Sequence, residues 1–198
     1  MGGRPLPGHR RHRPRRADRG RRPLTDPARV PILEGDRLRL RPLLRSDRAV
    51  LRAILAQPEV ARWWDEADPD LAVDEWLEDE GSVGFAIELG DRVIGSIQYV
   101  EEHTPSYRHA GIDLFLDRDH HGQGLGPEAI RTLARYLIGA RGHHRLTIDP
   151  AAANERAVKA YERVGFRRVG VMRNYERGPD GTWHDGLLMD LLAGELRE

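Results

Sequence analysis

The chain has 198 residues, of which 39% are hydrophobic and 32% charged, with 32 basic residues against 32 acidic and no cysteine. The lack of cysteine excludes disulfides, thiolate zinc sites, iron–sulfur clusters and a cysteine nucleophile. Mean hydropathy is −0.63, and no apolar run approaches the ~20 residues of a bilayer-spanning helix, which excludes a helical membrane protein.

The zero net charge hides an asymmetry. Residues 1–30 hold ten Arg, five Pro and only two acids, Asp18 and Asp26, so this stretch is near +8 and the remainder near −8. Such a segment cannot bury enough apolar surface to offset its ordering entropy. Residues 1–31 therefore read as a disordered Arg/Pro-rich tail ahead of a single domain over 32–198. A basic arm suits weak nucleic-acid contact. A solvated extension is the plainer reading, because no aromatics interleave the arginines. No apolar leader precedes the tail, so the expected location is cytoplasmic, with no membrane partner.

Leu38, Leu40 and Leu43 alternate with Arg37, Arg39 and Arg41, predicting a first strand to about Pro42. Ser46 and Asp47 offer an N-cap to a helix whose face is Val50, Leu51, Ile54 and Leu55, closed by Pro58. A second helix covers about 71–77, with Val73, Trp76 and Leu77 inward. Strands follow over 83–89 and 93–100, joined at Gly90-Asp91, a hairpin signal. A further strand, 111–117, has Ile112, Leu114 and Leu116 on one side and Phe115 on the other. A Gly-rich loop leads into a helix over about 127–139, a strand over 145–149 and a helix over 154–164 with Gly165 just past its end. Two closing strands, about 166–173 and 183–191, flank the turn Gly178-Pro179-Asp180-Gly181. The order β-α-α-β-β-β-α-β-α-β-β describes one mixed α/β domain without internal repeats.

Between strand and helix stands His121-Gly122-Gln123-Gly124-Leu125-Gly126. Glycines there let backbone N–H groups turn toward an anion, and the helix N-terminus adds its positive end. The spacing fits neither a dinucleotide fingerprint nor a P-loop. On spacing alone, a structural turn and a phosphate cradle stay equally open. Adjacent His120/His121 and His143/His144 lack metal-site spacing, so no metal is expected.

One helix and one strand later come Asn154, Tyr161, Gly165 and Phe166. Together with residues 116–126 this pattern resembles motif A and the following region of the GNAT acetyltransferase superfamily. His121 stands where that family usually has Arg or Gln. The run Thr147-Ile148-Asp149-Pro150 through Phe166, and Gly111-Ile112-Asp113, are similar to aminoglycoside 6′-N-acetyltransferases. The resemblance spans roughly residues 38–192. It implies a GNAT-type domain: a mixed, mostly antiparallel sheet flanked by helices and splayed between its fourth and fifth strands. It also implies acetyl-CoA as co-substrate, a small-molecule amine acceptor, and a monomer or homodimer.

By that resemblance, Leu114 and Leu116 pair their backbones with pantetheine. Backbone N–H groups of Gly122, Gln123, Gly124, Leu125 and Gly126 take the pyrophosphate, and His121 and Asn154 join the cofactor site. Arg118, His120, Arg131 and Arg135 are candidates for the other phosphate. Tyr161 is the candidate general acid; its alternative is a core Tyr on the Ala157/Val158 stripe. Asp113, a carboxylate in mid-strand, is the candidate base or amine ligand, with Glu101 or a water as backups; its alternative is a solvated strand acid. Asp149 falls where the 6′-enzymes place a substrate carboxylate, or else caps the turn before Asn154. Residues 65–80 hold nine acids and no Lys or Arg. With Trp63, Trp64 and Trp76 they read either as an acidic wall for a polycationic acceptor, with Trp64 touching it, or as a solvated helix face. The expected reaction is acetylation of an aminoglycoside 6′-amine. A siderophore lysine or hydroxylysine, a protein N-terminus, and a tail-borne nucleic-acid module are the rivals.

Overall fold

The computed structural model describes residues 30–64, 68–79 and 81–197. All of the Arg-rich tail except Val30 and Pro31 lies outside the described residues, as do Asp65, Glu66 and Glu80. Eight strands form one open sheet in the order β1 (Leu33–Glu34), β2 (Leu38–Pro42), β3 (Val83–Leu89), β4 (Arg92–Glu102), β5 (His109–Leu116), β6 (Arg145–Ile148), β8 (Trp183–Leu192) and β7 (Arg167–Arg177). Every neighbouring pair is antiparallel except β5 and β6, which run parallel. The helices are α1 (Arg48–Leu55), α2 (Pro58–Ala61), α3 (Pro69–Glu78), α4 (Leu125–Gly139) and α5 (Glu155–Val164).

This is the order expected from the sequence, with two additions. β1 is a two-residue edge strand. Pro58 does more than close α1: it opens α2 at the first turn, where a missing N–H costs nothing. One expectation is corrected. Asp47 stands at the N-cap of α1, but its side chain makes no cap bond there, and the helix is entered through a short 3-10 turn, Arg45–Asp47. The Asp47 carboxylate instead accepts from the Leu44 N–H at 2.9 Å and takes the Arg41 guanidinium in two bonds of 2.7 Å.

The alternation along β5 sends its side chains to two different cores. Ile112 and Leu116 join Leu40, Ile87 and Ile97 under α4, against Ile130, Leu133 and Leu137. Phe115 points the other way, to Leu51 and Ile54 of α1 and Val73 and Trp76 of α3. Helices therefore cover both faces of the sheet. Each fully buried Leu or Ile contributes about 1.5–3 kcal/mol, against about 0–1 for an exposed ion pair. The apolar layers, not the numerous surface arginine–carboxylate pairs, hold the fold.

The ladder between β4 and β5 runs the length of β5, from Glu102↔His109 to Gly95↔Leu116. The ladder between β5 and β6 has only two positions, Ala110↔Leu146 and Gly111↔Thr147. Beyond Thr147, β6 follows β8 instead: Ile148 pairs Met189, and the Pro150 carbonyl accepts from the Leu187 N–H at 2.8 Å. The fourth and fifth predicted strands, β5 and β6, thus separate, and a slot opens along Ile112 to Leu116.

Candidate active site

The slot continues into a cleft of about 2010 Å³ running from the glycine loop to the β7–β8 hairpin. The loop begins where β5 ends and turns through two glycines in the left-handed region, Gly122 at φ 76° and Gly124 at φ 79°. A Cβ on Gly122 would meet nothing within 4 Å, so that glycine serves the backbone path and leaves the approach open. Helix α4 starts at Leu125, two residues before the expected start at Pro127. Pro127 is still harmless there, because first-turn N–H groups have no intrahelical partner. Those amides, with Leu125 and Gly126 on the cleft wall, form the positive end of α4.

Most residues expected at the cofactor side lie here: Leu114, Leu116, His121, Gly122, Gly124 and Asn154 all line the cleft. Asn154 caps α5 by accepting from the Ala157 N–H at 3.2 Å, leaving its amide nitrogen as a donor. Gln123 is expected to contribute through its backbone N–H, and its other groups turn elsewhere. Its side chain leaves the cleft to donate to the Asp119 carbonyl at 2.7 Å, and its own carbonyl accepts from Arg37 at 3.0 Å. Of the four candidates for the second phosphate, only His120 reaches the wall. Arg118 turns to Glu59 and Asp119, both at 3.5 Å. The basic side chains lining the cleft are instead Arg156, Lys159 and Arg163, on one stripe of α5, together with Arg177. Their i, i+3, i+7 spacing is legible in the sequence, but it reads there only as the polar face of an amphipathic helix.

Tyr161, Asp113 and Asp149 meet where the strands part. Tyr161 is buried at 9% exposure, packs its ring near Phe166 at 6.3 Å, and still lines the cleft. Burial pushes its phenol well above the ordinary value, and the charges of Asp113 and Asp149 push it further while Arg156 pulls it back. The core and catalytic readings of this residue are therefore compatible: the helix face packs the ring, and the ring edge borders the slot. Asp113 stands opposite Gln98 on β5, half-buried and on the cleft wall. Asp149, just past β6, accepts from the Tyr175 hydroxyl at 2.6 Å.

Glu101 is a correction. It pairs with Ala110 at the closed end of the sheet, away from the cleft. It is buried and takes Arg141 at 2.7 Å and His143 at 2.7 Å. Burial would raise its carboxyl, but the bonds from Arg141 and His143 outweigh that and hold it below the usual carboxylate range. A carboxylate so engaged is no base for an amine in the slot.

The acidic wall is corrected as well. Trp64 lines the cleft and packs edge-on against Trp76 at 5.2 Å and Phe115 at 5.6 Å. Trp76 is core, donating to Ser96 Oγ at 2.7 Å. Three of the described acids of α3 pair away from the cleft: Asp70 and Asp74 with Arg48 of α1, Asp70 also with Arg52, and Glu78 with Arg45 in the turn before α1. The end of the cleft away from the glycine loop is built instead by the hairpin, with Tyr175, Glu176 and Trp183 on the wall. Two of these, Tyr175 at 47% and Trp183 at 61%, are among the most exposed large side chains. The register slips between Met172 and Glu176, with Asn174 at φ 50°. That bulge brings Tyr175 over Gly186, where a Cβ would lie 2.7 Å from the ring. A bulge is invisible to period-two reading, which is why the hairpin aromatics escape it.

Among the described residues no group of three His, Asp or Glu could hold a metal ion. No helix among them is long and apolar enough to cross a membrane.

Against known proteins, residues 37–167 match the acetyltransferase (GNAT) domain family. The aminoglycoside N(6′)-acetyltransferase type 1 of Klebsiella pneumoniae is 31% identical over 166 residues, covering 74% of this chain and 80% of that protein. The mycothiol acetyltransferase of Salinispora arenicola is 32% identical over 165 residues, covering 79% of this chain but 53% of its own length. The structure of Mycobacterium smegmatis RimJ with CoA-disulfide superposes with a TM-score of 0.73 at 23% identity, covering 85% of this chain and 89% of that one. The chain belongs to the GNAT acetyltransferase family. The cofactor of that family is acetyl-CoA, and the left-handed glycine loop, the basic stripe of α5 and the slot beside β5 fit it.

Proposed function

We propose that this chain acetylates a primary amine of a polycationic, ring-built acceptor, an aminoglycoside 6′-amine, at the expense of acetyl-CoA. The observation that carries this reading is the meeting of Tyr161, Asp113 and Asp149 at the point where β5 and β6 part. The likeness to the Klebsiella enzyme supports the acceptor.

Each residue has a distinct task. The amine nitrogen forms its bond to the acetyl carbon, the carbon–sulfur bond breaks, and the thiolate must gain a proton while the new amide nitrogen sheds one. Asp113 and Asp149 draw in the cationic acceptor and hold its amino groups, and Asp113, directly or through a water, takes the proton from the attacking nitrogen. Tyr161 gives the thiolate its proton. A phenol raised far above the ordinary ~10 is a reluctant donor toward a thiol near ~8.5. The acceptor's positive charge neutralises the two carboxylates that raise it, so acceptor binding itself makes Tyr161 a better acid. Trp183 and Tyr175 offer faces to the sugar rings, with Glu176 beside them for further ammonium groups.

The test is CoA release over an amine panel: a 6′-amino aminoglycoside, its 6′-hydroxy analogue, spermidine, and an Ala-terminated peptide, with the product located by NMR. Acetylation at N6′, lost with the 6′-hydroxy analogue, is expected. Comparable turnover of the 6′-hydroxy analogue, or preference for spermidine or the peptide, overturns the acceptor assignment.

A further inference from the structure

The glycine loop opens on a histidine with two hydrogen bonds of opposite sense. His121 Nε2 lies 2.9 Å from the Leu116 carbonyl, which can only accept, so Nε2 carries the proton. His121 Nδ1 lies 2.8 Å from Arg156 Nη1, and a guanidinium can only donate, so Nδ1 presents its lone pair. The partners fix a neutral ring in one tautomer. Burial favours that neutral state, and so does the positive charge of Arg156, against the opposing pull of the Leu116 carbonyl, Asp117 and Glu59.

Arg156, like Arg163 and Arg177 on the same cleft wall, differs from the arginines that are tied up in ion pairs. Arg39, Arg41, Arg48, Arg52, Arg141 and Arg145 each hold a carboxylate. Among the described residues no carboxylate forms an ion pair with Arg156, whose held partner is the neutral His121. It lies in the first turn of α5, directly after the Asn154 cap, on the cleft wall beside Gly122. A guanidinium has five N–H donors. The bond to His121 uses one of them, sets the direction of the rest, and removes none of the charge. A carboxylate in place of His121 would cancel that charge and repel an anion.

We propose that Arg156 is a direct ligand of the pyrophosphate of the acyl carrier, aimed across the glycine loop by neutral His121. Arg156 is the binding residue. His121 is a positioning residue, tied at one nitrogen to the end of β5 and at the other to the start of α5. The loop amides and Arg156 then approach the pyrophosphate from two sides, and a phosphate takes a guanidinium in paired bonds.

Calorimetry with CoA, dephospho-CoA and pantetheine tests this without any acceptor. Arg156→Gln should weaken CoA and dephospho-CoA alike by about 10- to 100-fold and leave pantetheine unchanged. His121→Gln keeps a donor for Leu116 and an acceptor for Arg156, so it should bind CoA within about threefold of wild type. His121→Leu keeps neither and should lose about 3- to 10-fold, a loss that vanishes when Arg156→Gln is already present. Imidazole ¹⁵N shifts in the wild-type protein should show Nε2 protonated and Nδ1 bare, which keeps the positioning half testable if a variant fails to fold. Unchanged CoA affinity in Arg156→Gln overturns the ligand assignment. So does a loss confined to CoA and absent for dephospho-CoA, which would move the contact to the 3′-phosphate. Additive losses in the double variant, or a protonated Nδ1, overturn the positioning role.

Discussion

The two ends of β5 hold acidic side chains in opposite circumstances. At one end Glu101, on β4 opposite Ala110, lies where β5 and β6 are still hydrogen-bonded, and Arg141 and His143 close around it. Three residues further along β5, about 10 Å at the rise of a strand, Asp113 stands where β6 has turned away, and it faces a cleft. The difference is set by whether the neighbouring strand continues. Where the ladder persists, the fold brings a buried carboxylate its own guanidinium and imidazole. Where the ladder stops, the carboxylates line the space a cationic substrate would enter, and their charge acts on Tyr161 instead. Catalytic candidates in this fold are thus told from structural ones by the register of β5 on β6, not by residue type.

The sharpest way to break that comparison is at the open end. Tyr161→Phe keeps the ring on its helix face and removes only the hydroxyl. If the phenol protonates the departing thiolate, kcat should fall about 10²- to 10⁴-fold with little change in KM. Wild-type kcat in a variant that binds CoA normally would make Tyr161 a core residue and leave the open end without an acid.

At the closed end the expected effect is on stability. Glu101→Gln leaves Arg141 without its countercharge and weakens the acceptor that buried His143 holds. Stability should fall by roughly 2–4 kcal/mol, discounted from a fully buried pair because Arg141 is partly solvated, while kcat/KM of the folded enzyme changes little. The pH dependence has a definite sign. The folded carboxyl is held below the ordinary glutamate value of 4.5, so its contribution is fully present above about pH 4.5 and is lost as pH falls through the folded value. Denaturant midpoints of wild type and Glu101→Gln should therefore converge as the pH drops below that point. A gap that stays constant, or a large drop in kcat, would erase the distinction between the two ends.

Much of this was legible in the sequence, for a physical reason. Strand alternation and the apolar stripes of α4 and α5 follow from what must be buried, and burial is local enough to be read from period. That the glycine loop, Asn154, Tyr161, Asp113 and Asp149 share one cleft was legible because the elements that carry them are placed by the same burial pattern. Glu101 was misplaced because sequence distance from a strand end does not say which strand lies beyond. The outward turn of the Gln123 side chain, onto the Asp119 carbonyl, could not be read from the loop's spacing. Tyr175 and Trp183 stayed hidden behind a bulge, and Arg156 behind an ordinary amphipathic pattern.

The hairpin offers a smaller effect. Trp183→Ala should raise the acceptor KM by about 2- to 10-fold, the worth of an aromatic contact, and leave the KM for acetyl-CoA alone. Gly186→Ala should act in the same direction by displacing the Tyr175 ring. Acceptor KM values unchanged in both variants would remove the hairpin from the acceptor side.

The smallest effect is expected from the segment that looks most acidic in the sequence. Asp70 and Asp74 of α3 are held by Arg48 and Arg52 of α1, and Glu78 by Arg45 in the turn before it, so three acids of α3 are paired with arginines. Paired charges of opposite sign give little field at a distance, and salt screens what remains beyond about 10 Å. The double variant Asp70→Asn/Asp74→Asn should therefore change the KM for a polycationic acceptor less than twofold, at low salt as at physiological salt. Its melting temperature should shift by about 3 °C or less, because exposed ion pairs contribute little. By contrast, Asp113→Asn should raise the acceptor KM or lower kcat at both salt concentrations, since its charge acts at contact range. If the double variant instead loses acceptor affinity at low salt and regains wild-type behaviour at high salt, α3 steers the acceptor from outside the cleft. The acidic run would then have to be counted with the open end of β5 rather than with its closed, self-satisfied one.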